Sequence, residues 1–499
     1  MAVRSNLSKS LYLRGLQCHK SLWLYKHQPD KRKPADDRQQ WLFDQGHDVG
    51  ALARTLFPDG LNIEQFDTFP LKLFQTKKAV LQKQTLYEAT FSAQNTLVMT
   101  DILVPIANGW HLIEVKSSTG VKAGHLYDMA LQLYVLQLCG IRVSKLSLIH
   151  INPHYRRGSR LNKQRLFVKV NVGKRVKEHL PSIEKKLAEF RAVIKNPAMP
   201  DIAIGPHCSS PYDCDFMDVC WPKMDVSSVF YLKGMDKQSK FELFNQGIKT
   251  VNDLPEHFPL NQTQEIQIKA VQTDKPHVNT EALFSFLSRP HLPLFFLDFE
   301  AFQTAVPLLK GTKPYQSIPF QFSLHRMNSP FDVPSHSEFL APARHNGKLN
   351  DPRKAFVKQL LKQIPEGACV VVYDKGLERQ TLLSLAEDYP SDAERLKAMA
   401  HNLVDLIEPF QRHDIYFPAM KGRLSIKSIL PALIPQLSYD HLSIRNGEMA
   451  IQAFLTLQQT EDPIEIEMLE TALKAYCRLD TLAMVRIWQR FYGLLSGSA

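Results

Sequence analysis

The chain has 499 residues, 44% hydrophobic and 22% charged, with a formal net charge of +11. That length predicts two or three domains rather than one core, and the composition excludes a disordered chain or one embedded in a membrane. The longest apolar stretches, such as Leu292 to Phe299, are of strand length, and no apolar run precedes a small-residue cleavage site at the start, so the expectation is a cytoplasmic protein with no membrane partner.

The pattern predicts an α/β chain in three parts. A mixed α/β unit covers 1–225, a short helical connector 226–288, and a second α/β unit 289–499. The first 29 residues carry no Asp or Glu and hold Cys18 in Arg14-Gly15-Leu16-Gln17-Cys18-His19. His47 follows in Gln45-Gly46-His47-Asp48, and Glu88 in Tyr87-Glu88-Ala89. Thr96 to Ile106 and Trp110 to Ser117 read as strands joined by Asn108-Gly109, a strong hairpin signal favouring a two-residue turn. With Ala107 and Trp110 flanking that turn, Asp101 is expected opposite Lys116 and Leu103 opposite Glu114. Alternation with period two then puts Asp101, Glu114 and Lys116 on one face.

Two carboxylates on one face can hold Mg²⁺ or Mn²⁺, hard cations that take oxygen ligands, with a lysine to orient a nucleophile or neutralise developing charge. An exposed strand pair with a surface salt bridge is the plain alternative. Val121 to Cys139 reads as a helix ended by Gly140 and carries Gln132 and Tyr134. From His154 to Lys177 acids are again absent, while Arg156, Arg157, Arg160, Lys163 and Arg165 are present. That run is either a solvated basic face or a phosphate-binding one.

Seven cysteines in a cytosolic chain argue against a disulfide framework. Cys208, Cys214 and Cys220 fall six apart among Pro206, Pro211 and Pro222, a broken segment in which three thiolates can converge with Cys18. In the connector, Gly234 and Gly247 read either as helix-hairpin-helix turns that bind DNA phosphates or as plain linker turns. Further on, Asp298 and Glu300 share a strand face in Leu297-Asp298-Phe299-Glu300. Val370 to Tyr373 reads as a strand followed by Asp374-Lys375-Gly376-Leu377-Glu378. Tyr476 and Asp480 lie four apart on a helix and share a face. Asp405 is read as a core-edge residue.

Asp101, twelve intervening residues, then Glu114-Val115-Lys116 resembles the RecB-like branch of the PD-(D/E)xK nucleases. The resemblance implies that Glu88, Asp101, Glu114, Lys116 and Gln132 are catalytic and that His47 joins Asp101 and Glu114 on the metal. One early cysteine with three late ones resembles the iron–sulfur nucleases, the AddB helicase-nuclease subunit and the CRISPR-adaptation exonucleases. It implies that Cys18, Cys208, Cys214 and Cys220 hold a four-iron four-sulfur cluster. A Cys₄ zinc site and unliganded cysteines are the alternatives, and the absence of a Cys-x₂-Cys knuckle weighs against zinc. The Asp-x-Glu strand, middle acid and Tyr-x₃-Asp helix resemble DnaQ-like 3′–5′ exonucleases of the RNase H-like fold. That implies Asp298, Glu300, Glu378 and Asp480 as ligands of two metals and Tyr476 as the orienter of water. Glu378 departs from the family's aspartate at the middle position, and Asp374 is its rival there.

The expectation is therefore a metal-dependent nuclease with two centres acting on nucleic acid, with DNA as the expected substrate. No Gly-x₄-Gly-Lys-Ser/Thr loop is present, so any helicase partner acts in trans. The alternative from another class is a nucleic-acid adaptor in which one or both centres are inactive.

Overall fold

The computed structural model describes residues 6–343 and 349–497. The chain is mixed α/β and divides into two compact units. The first comprises the residues up to Pro222 together with Thr304–Gln316, and the second comprises Lys223–Gln303 and the chain from Ser317 onward. The residues expected as a connector thus group with the second unit, and a short segment from the second half of the sequence groups with the first.

In the first unit, helices α1 (Lys9–Gln17), α2 (His19–His27) and α3 (Asp37–Arg54) precede strands β1 (Leu86–Ala93), β2 (Thr96–Ile106) and β3 (Gly109–Lys116). Helix α4 (Ala123–Leu138) and strands β4 (Val143–Ile151) and β5 (Phe167–Asn171) follow. The sheet runs from Leu61–Asn62 through β1, β2, β3 and β4 to β5, with Leu7–Ser8 added beside the start of β2. Strands β1, β2 and β3 are antiparallel neighbours, and β3 runs parallel to β4. A parallel pair needs a crossover, which α4 supplies. Leu112 and Leu148 pack with Met129, Leu133 and Phe190 on one side of the sheet. Ile113, Val115 and Ile149 pack with Val49, Ala53 and Ala305 on the other. Alternation along β3 therefore sends Glu114 to the same side as α4.

The expected hairpin register is corrected by two residues. Ile106 pairs with Gly109, so the turn is Ala107-Asn108, and Leu103 faces Leu112 rather than Glu114. Continuing that ladder places Asp101 opposite Glu114 instead of Lys116. The reason is a close approach. Gly109 has φ +130°, and a Cβ there would lie 2.4 Å from the Arg142 carbonyl oxygen, so this glycine belongs to the strand beside β4 rather than to the turn. A shift of two preserves the face, and Asp101, Glu114 and Lys116 still share one side.

In the second unit, strands β6 (Leu294–Phe302), β7 (Ile318–Met327), β8 (Ser335–Leu340), β9 (Cys369–Val372) and β10 (Leu403–Asp405) form a five-stranded sheet in the order β8-β7-β6-β9-β10. Strands β6, β7 and β8 are antiparallel, while β9 runs parallel to both β6 and β10. Helices α5 (Gly376–Asp388), α6 (Ile426–Leu433) and the long α7 (Pro463–Leu495) complete the part of the unit that matters here. Phe295, Leu297 and Phe299 point into one core with Phe356 and Leu382. The alternate face carries Phe296, edge-on to Trp488 of α7, and with it Asp298 and Glu300. In the former connector, Gly234 (φ +69°) precedes the helix Lys237–Asn245 and Gly247 (φ +93°) follows it. Among the described residues no helix is long and apolar enough to cross a membrane.

Candidate functional site

The first cluster forms where β3, α4 and α1 meet. Glu114, Asp128 and Gln132 are all buried. Asp128 and Gln132 lie four apart on α4 and so face the strand together. Gln132 donates from Nε2 to Glu114 Oε2 at 2.7 Å and to Asp128 Oδ1 at 2.9 Å. Lys116 Nζ lies 2.5 Å from Glu114 Oε1 and 3.1 Å from Asp128 Oδ2. A second ammonium converges on the same two atoms: Lys9 Nζ is 2.9 Å from Glu114 Oε1 and 3.1 Å from Asp128 Oδ2.

Lys9 and Asp128 were missed by sequence reasoning. Lys9 is the first residue of α1, whose first turn contains no acid. A cation there opposes the helix dipole, and that local mismatch is the signal that a partner elsewhere sets its position.

Electrostatics follow from this packing. Burial opposes ionisation of Glu114, but the Lys116 and Lys9 ammoniums and the Gln132 amide outweigh it and hold its carboxyl well below the usual range. Burial, then the neighbouring Glu114 charge, pushes Asp101 up to about 7. Burial works against the charged form of Lys9 too, yet Asp128, Glu114 and Asp101 raise it well above the ordinary value. Asp101 Oδ2 accepts the Val115 N–H at 2.7 Å. Glu88, with φ +52°, lies between the pairs Tyr87–Ile102 and Ala89–Thr100 and so opposite Asp101. Arg54 Nη2 donates to its Oε1 at 2.6 Å. His47 is exposed on α3, and Tyr134 reaches Gln94 Oε1 at 3.4 Å rather than the carboxylates. Among the described residues, no three His, Cys, Asp or Glu ligand atoms within 4.8 Å of one another include His47, Asp101 or Glu114.

The four staple cysteines are brought together. Cys18, Cys208, Cys214 and Cys220 line one small cavity with Ile204, Phe216 and Trp221, and all are free thiols. Cys18 sits at the break between α1 and α2, its N–H donating to Arg14 O at 2.9 Å. The late segment is clasped to the early helices by a two-pronged bond. Arg14 Nη1 and Nη2 meet the Asp215 carboxylate at 2.6 and 2.8 Å, and Arg32 Nε adds a contact at 2.6 Å. Such planar guanidinium–carboxylate pairs fix geometry as well as contributing energy. Burial, with the Cys214 and Cys208 charges, pushes the Cys18 thiol up. Burial also raises Cys220, which senses the charges of the other three.

Of the basic run, Arg156 and Arg157 are engaged inside the first unit. Arg156 Nη1 donates to Gly311 O at 2.5 Å and Arg157 Nη1 to Pro307 O at 2.7 Å. Both guanidiniums thus hold the Thr304–Gln316 segment. Arg160 and Arg165 are exposed and Lys163 is half-buried.

The second cluster gathers residues from β6, α5 and α7. Glu300, Glu378, Tyr476, Cys477 and Asp480 are buried. Burial, then the charges of Asp480, Glu300 and Glu378, raises Asp298 well above its ordinary value. Burial and the Asp480 charge do the same for Glu300, against the pull of Lys427. Burial pushes Glu378 up to about 8 and Asp480 to about 6. Among the described residues Glu378 Oε2 has no hydrogen-bond partner. Asp374, its rival in the sequence, is exposed. Asp405 accepts the backbone N–H groups of Asp374, Lys375 and Ile407 at 2.9, 3.2 and 3.3 Å, and so caps the turn before α5. Two further residues were not foreseen. Tyr439 donates its hydroxyl to Asp480 Oδ1 at 2.6 Å. Lys427 Nζ lies 3.3 Å from the Tyr476 hydroxyl and over the faces of both tyrosine rings.

These carboxylates suit a cation. Several are buried together with little basic compensation, and one oxygen has no donor among the described residues, which is costly unless a positive charge is supplied. Ligand atoms of Asp298, Glu300 and Cys477 all lie within 4.8 Å of one another.

Residues 295–425 match a family described as a domain of unknown function (DUF2779). No curated protein matches. A solved structure described as "Crystal structure of SSO0001" is similar at 16% identity, covering 44% of this chain and 87% of that one, with a TM-score of 0.19, too low for any argument from its fold.

Proposed function

We propose that the chain is a metal-dependent nuclease, with a RecB-like PD-(D/E)xK centre in the first unit and a DnaQ-like, RNase H-like centre in the second, acting on DNA. The observation that carries this reading is the second cluster, in which Asp298, Glu300, Glu378 and Asp480 from three separate elements share one buried space beside Tyr476. A divalent ion bound to such a set polarises a phosphate and lowers the pKa of a water. The chain's own residues do the rest. Asp298, Glu300 and Glu378 hold carboxylates in position, and Tyr439 fixes one oxygen of Asp480. Lys427 sets a positive charge beside the Tyr476 hydroxyl, where it can orient that group toward a nucleophile. In the first unit, Asp101 and Glu114 would hold the ion, and Lys116 would counter charge developing on the phosphate.

The cysteine staple is read as a four-iron four-sulfur cluster with a structural role. Four thiols around one cavity support it. A cytoplasmic location and a helicase partner in trans belong to the same reading.

The adaptor alternative draws on one observation, that Lys9 and Lys116 already engage Glu114 Oε1 in the first centre. End-labelled single-stranded DNA tests both. The wild type should degrade it in a divalent-dependent way, and Lys116→Ala and Asp298→Ala should each remove one component. Undiminished degradation by Lys116→Ala would leave only the second centre as an engine, and no degradation by the wild type would favour the adaptor.

A further inference from the structure

The four-carboxylate reading of the second centre leaves out one donor. Cys477 follows Tyr476 in α7, is fully buried, and lies three residues before Asp480, on the same helix face. Its Sγ is 3.9 Å from both the main-chain oxygen and Oδ2 of Asp298. One ligand atom each from Asp298, Glu300 and Cys477 falls within 4.8 Å of the other two. Asp480, in contrast, commits Oδ1 to the Tyr439 hydroxyl at 2.6 Å. An independent observation points to a cation in the same place. Glu378 is only 3% exposed, its Oε2 has no donor among the described residues, and its charge acts on both Asp298 and Glu300.

We propose that Asp298, Glu300 and Cys477 form a mixed oxygen–sulfur cation site that selects thiophilic divalent ions of the zinc class over Mg²⁺. Carboxylates alone suit Mg²⁺ and Mn²⁺, whereas one thiolate in the set shifts preference toward Zn²⁺ and Co²⁺. Binding requires the thiolate, so the Cys477 proton passes to solvent as the ion enters. The inference rests on the reading of this centre as cation-binding, but not on its cleaving DNA.

Co²⁺ serves as the probe, because thiolate ligation to it produces a near-ultraviolet charge-transfer band that carboxylates do not. Full-length protein, purified without oxygen so that the other cysteines keep their native ligation, is titrated with Co²⁺. The wild type should develop the band with about one equivalent, and Cys477→Ser should lose it. Asp298→Asn should weaken Co²⁺ binding by about 10- to 100-fold, the range for damage to a metal site. Zn²⁺ should abolish the band at near-equal concentration, while a large excess of Mg²⁺ leaves it. Identical spectra for wild type and Cys477→Ser, or displacement by Mg²⁺ as readily as by Zn²⁺, overturns the proposal. Circular dichroism checks that Cys477→Ser folds; if it does not, a full-strength band in folded Asp298→Asn is sufficient to overturn it. A Cys477-dependent band in a protein that cleaves no DNA would sink the nuclease reading alone.

Discussion

Replacing Glu378 by glutamine should stabilise the metal-free protein at alkaline pH while weakening the second centre's hold on divalent ions. Burial pushes the Glu378 carboxyl up to about 8. Measured from an ordinary glutamate at about 4.3, at about 1.4 kcal/mol per tenfold in proton affinity, the cost of keeping it ionised in the fold has a ceiling of about 5 kcal/mol. Coupling to neighbouring acids such as Asp374 and Asp405, and relaxation of the site, bring the expectation to about 1–3 kcal/mol. The sign follows from proton binding. The folded state holds a proton that the unfolded state has released between about pH 4 and pH 8, so wild-type stability falls as pH rises through that window. Glutamine removes the titration, and its benefit is small at about pH 5 and full above about pH 8. At about 2–4 °C per kcal/mol for a unit of this size, chelated Glu378→Gln should melt about 2–12 °C above chelated wild type at about pH 8. Added Mn²⁺ should raise the wild-type Tm more than that of the variant. Thermal melts at the two pH values decide the matter. A variant that melts lower than wild type at the higher pH, or gains equally at both, refutes the idea that an unmatched buried carboxylate is waiting for a cation.

Lys9→Met should destabilise by about 1–3 kcal/mol, because it leaves Glu114 and Asp128 with one ammonium instead of two in a buried setting; chemical denaturation measures it, and an unchanged midpoint would show that Lys116 alone suffices. Cys208→Ser should lower the iron content of protein purified without oxygen and reduce the Tm, while Asp298-dependent activity persists; full iron retention would sink the cluster assignment. Gly109→Ala should cost about 2–4 kcal/mol, since the new methyl meets the Arg142 carbonyl at a positive φ. A melt within a degree of wild type would mean the hairpin register differs from the one described.

Much of the first centre was legible in the sequence because its parts lie on one hairpin. Thr96 to Ile106 was delimited correctly by its pattern, and period two put Asp101, Glu114 and Lys116 on one face. The register itself was not legible, because what displaces the turn is the Arg142 carbonyl packed against Gly109, a contact from another strand. Lys9 was hidden for a similar reason. It is one lysine in a basic stretch, and only α1 folding against β3 and α4 makes it a partner of Glu114. In the second centre the Tyr-x₃-Asp spacing exposed Tyr476 and Asp480 but drew attention away from Cys477 between them. The choice between Asp374 and Glu378 turned on where α5 begins. A start at Gly376 puts Glu378 in the first turn, where the strand-to-helix connection buries it. Tyr439 and Lys427 lie in segments with no motif, and no local pattern could have named them.

The segment Thr304–Gln316 has a practical consequence for anyone dissecting this protein. It is encoded between β6 and β7 yet contributes to the first unit: the Tyr315 hydroxyl donates to the Ser117 carbonyl just beyond Lys116, and Ala305 lies in the core with Val49 and Ile113. A gene fragment ending near Pro222 would express the first unit with that piece missing, opening a cavity under the hairpin and leaving the Ser117 carbonyl without its partner. Loss of activity in such a truncation would report a missing part of the scaffold and say nothing about whether the two centres cooperate. Point substitutions in the intact chain are the way to assign activity to either half.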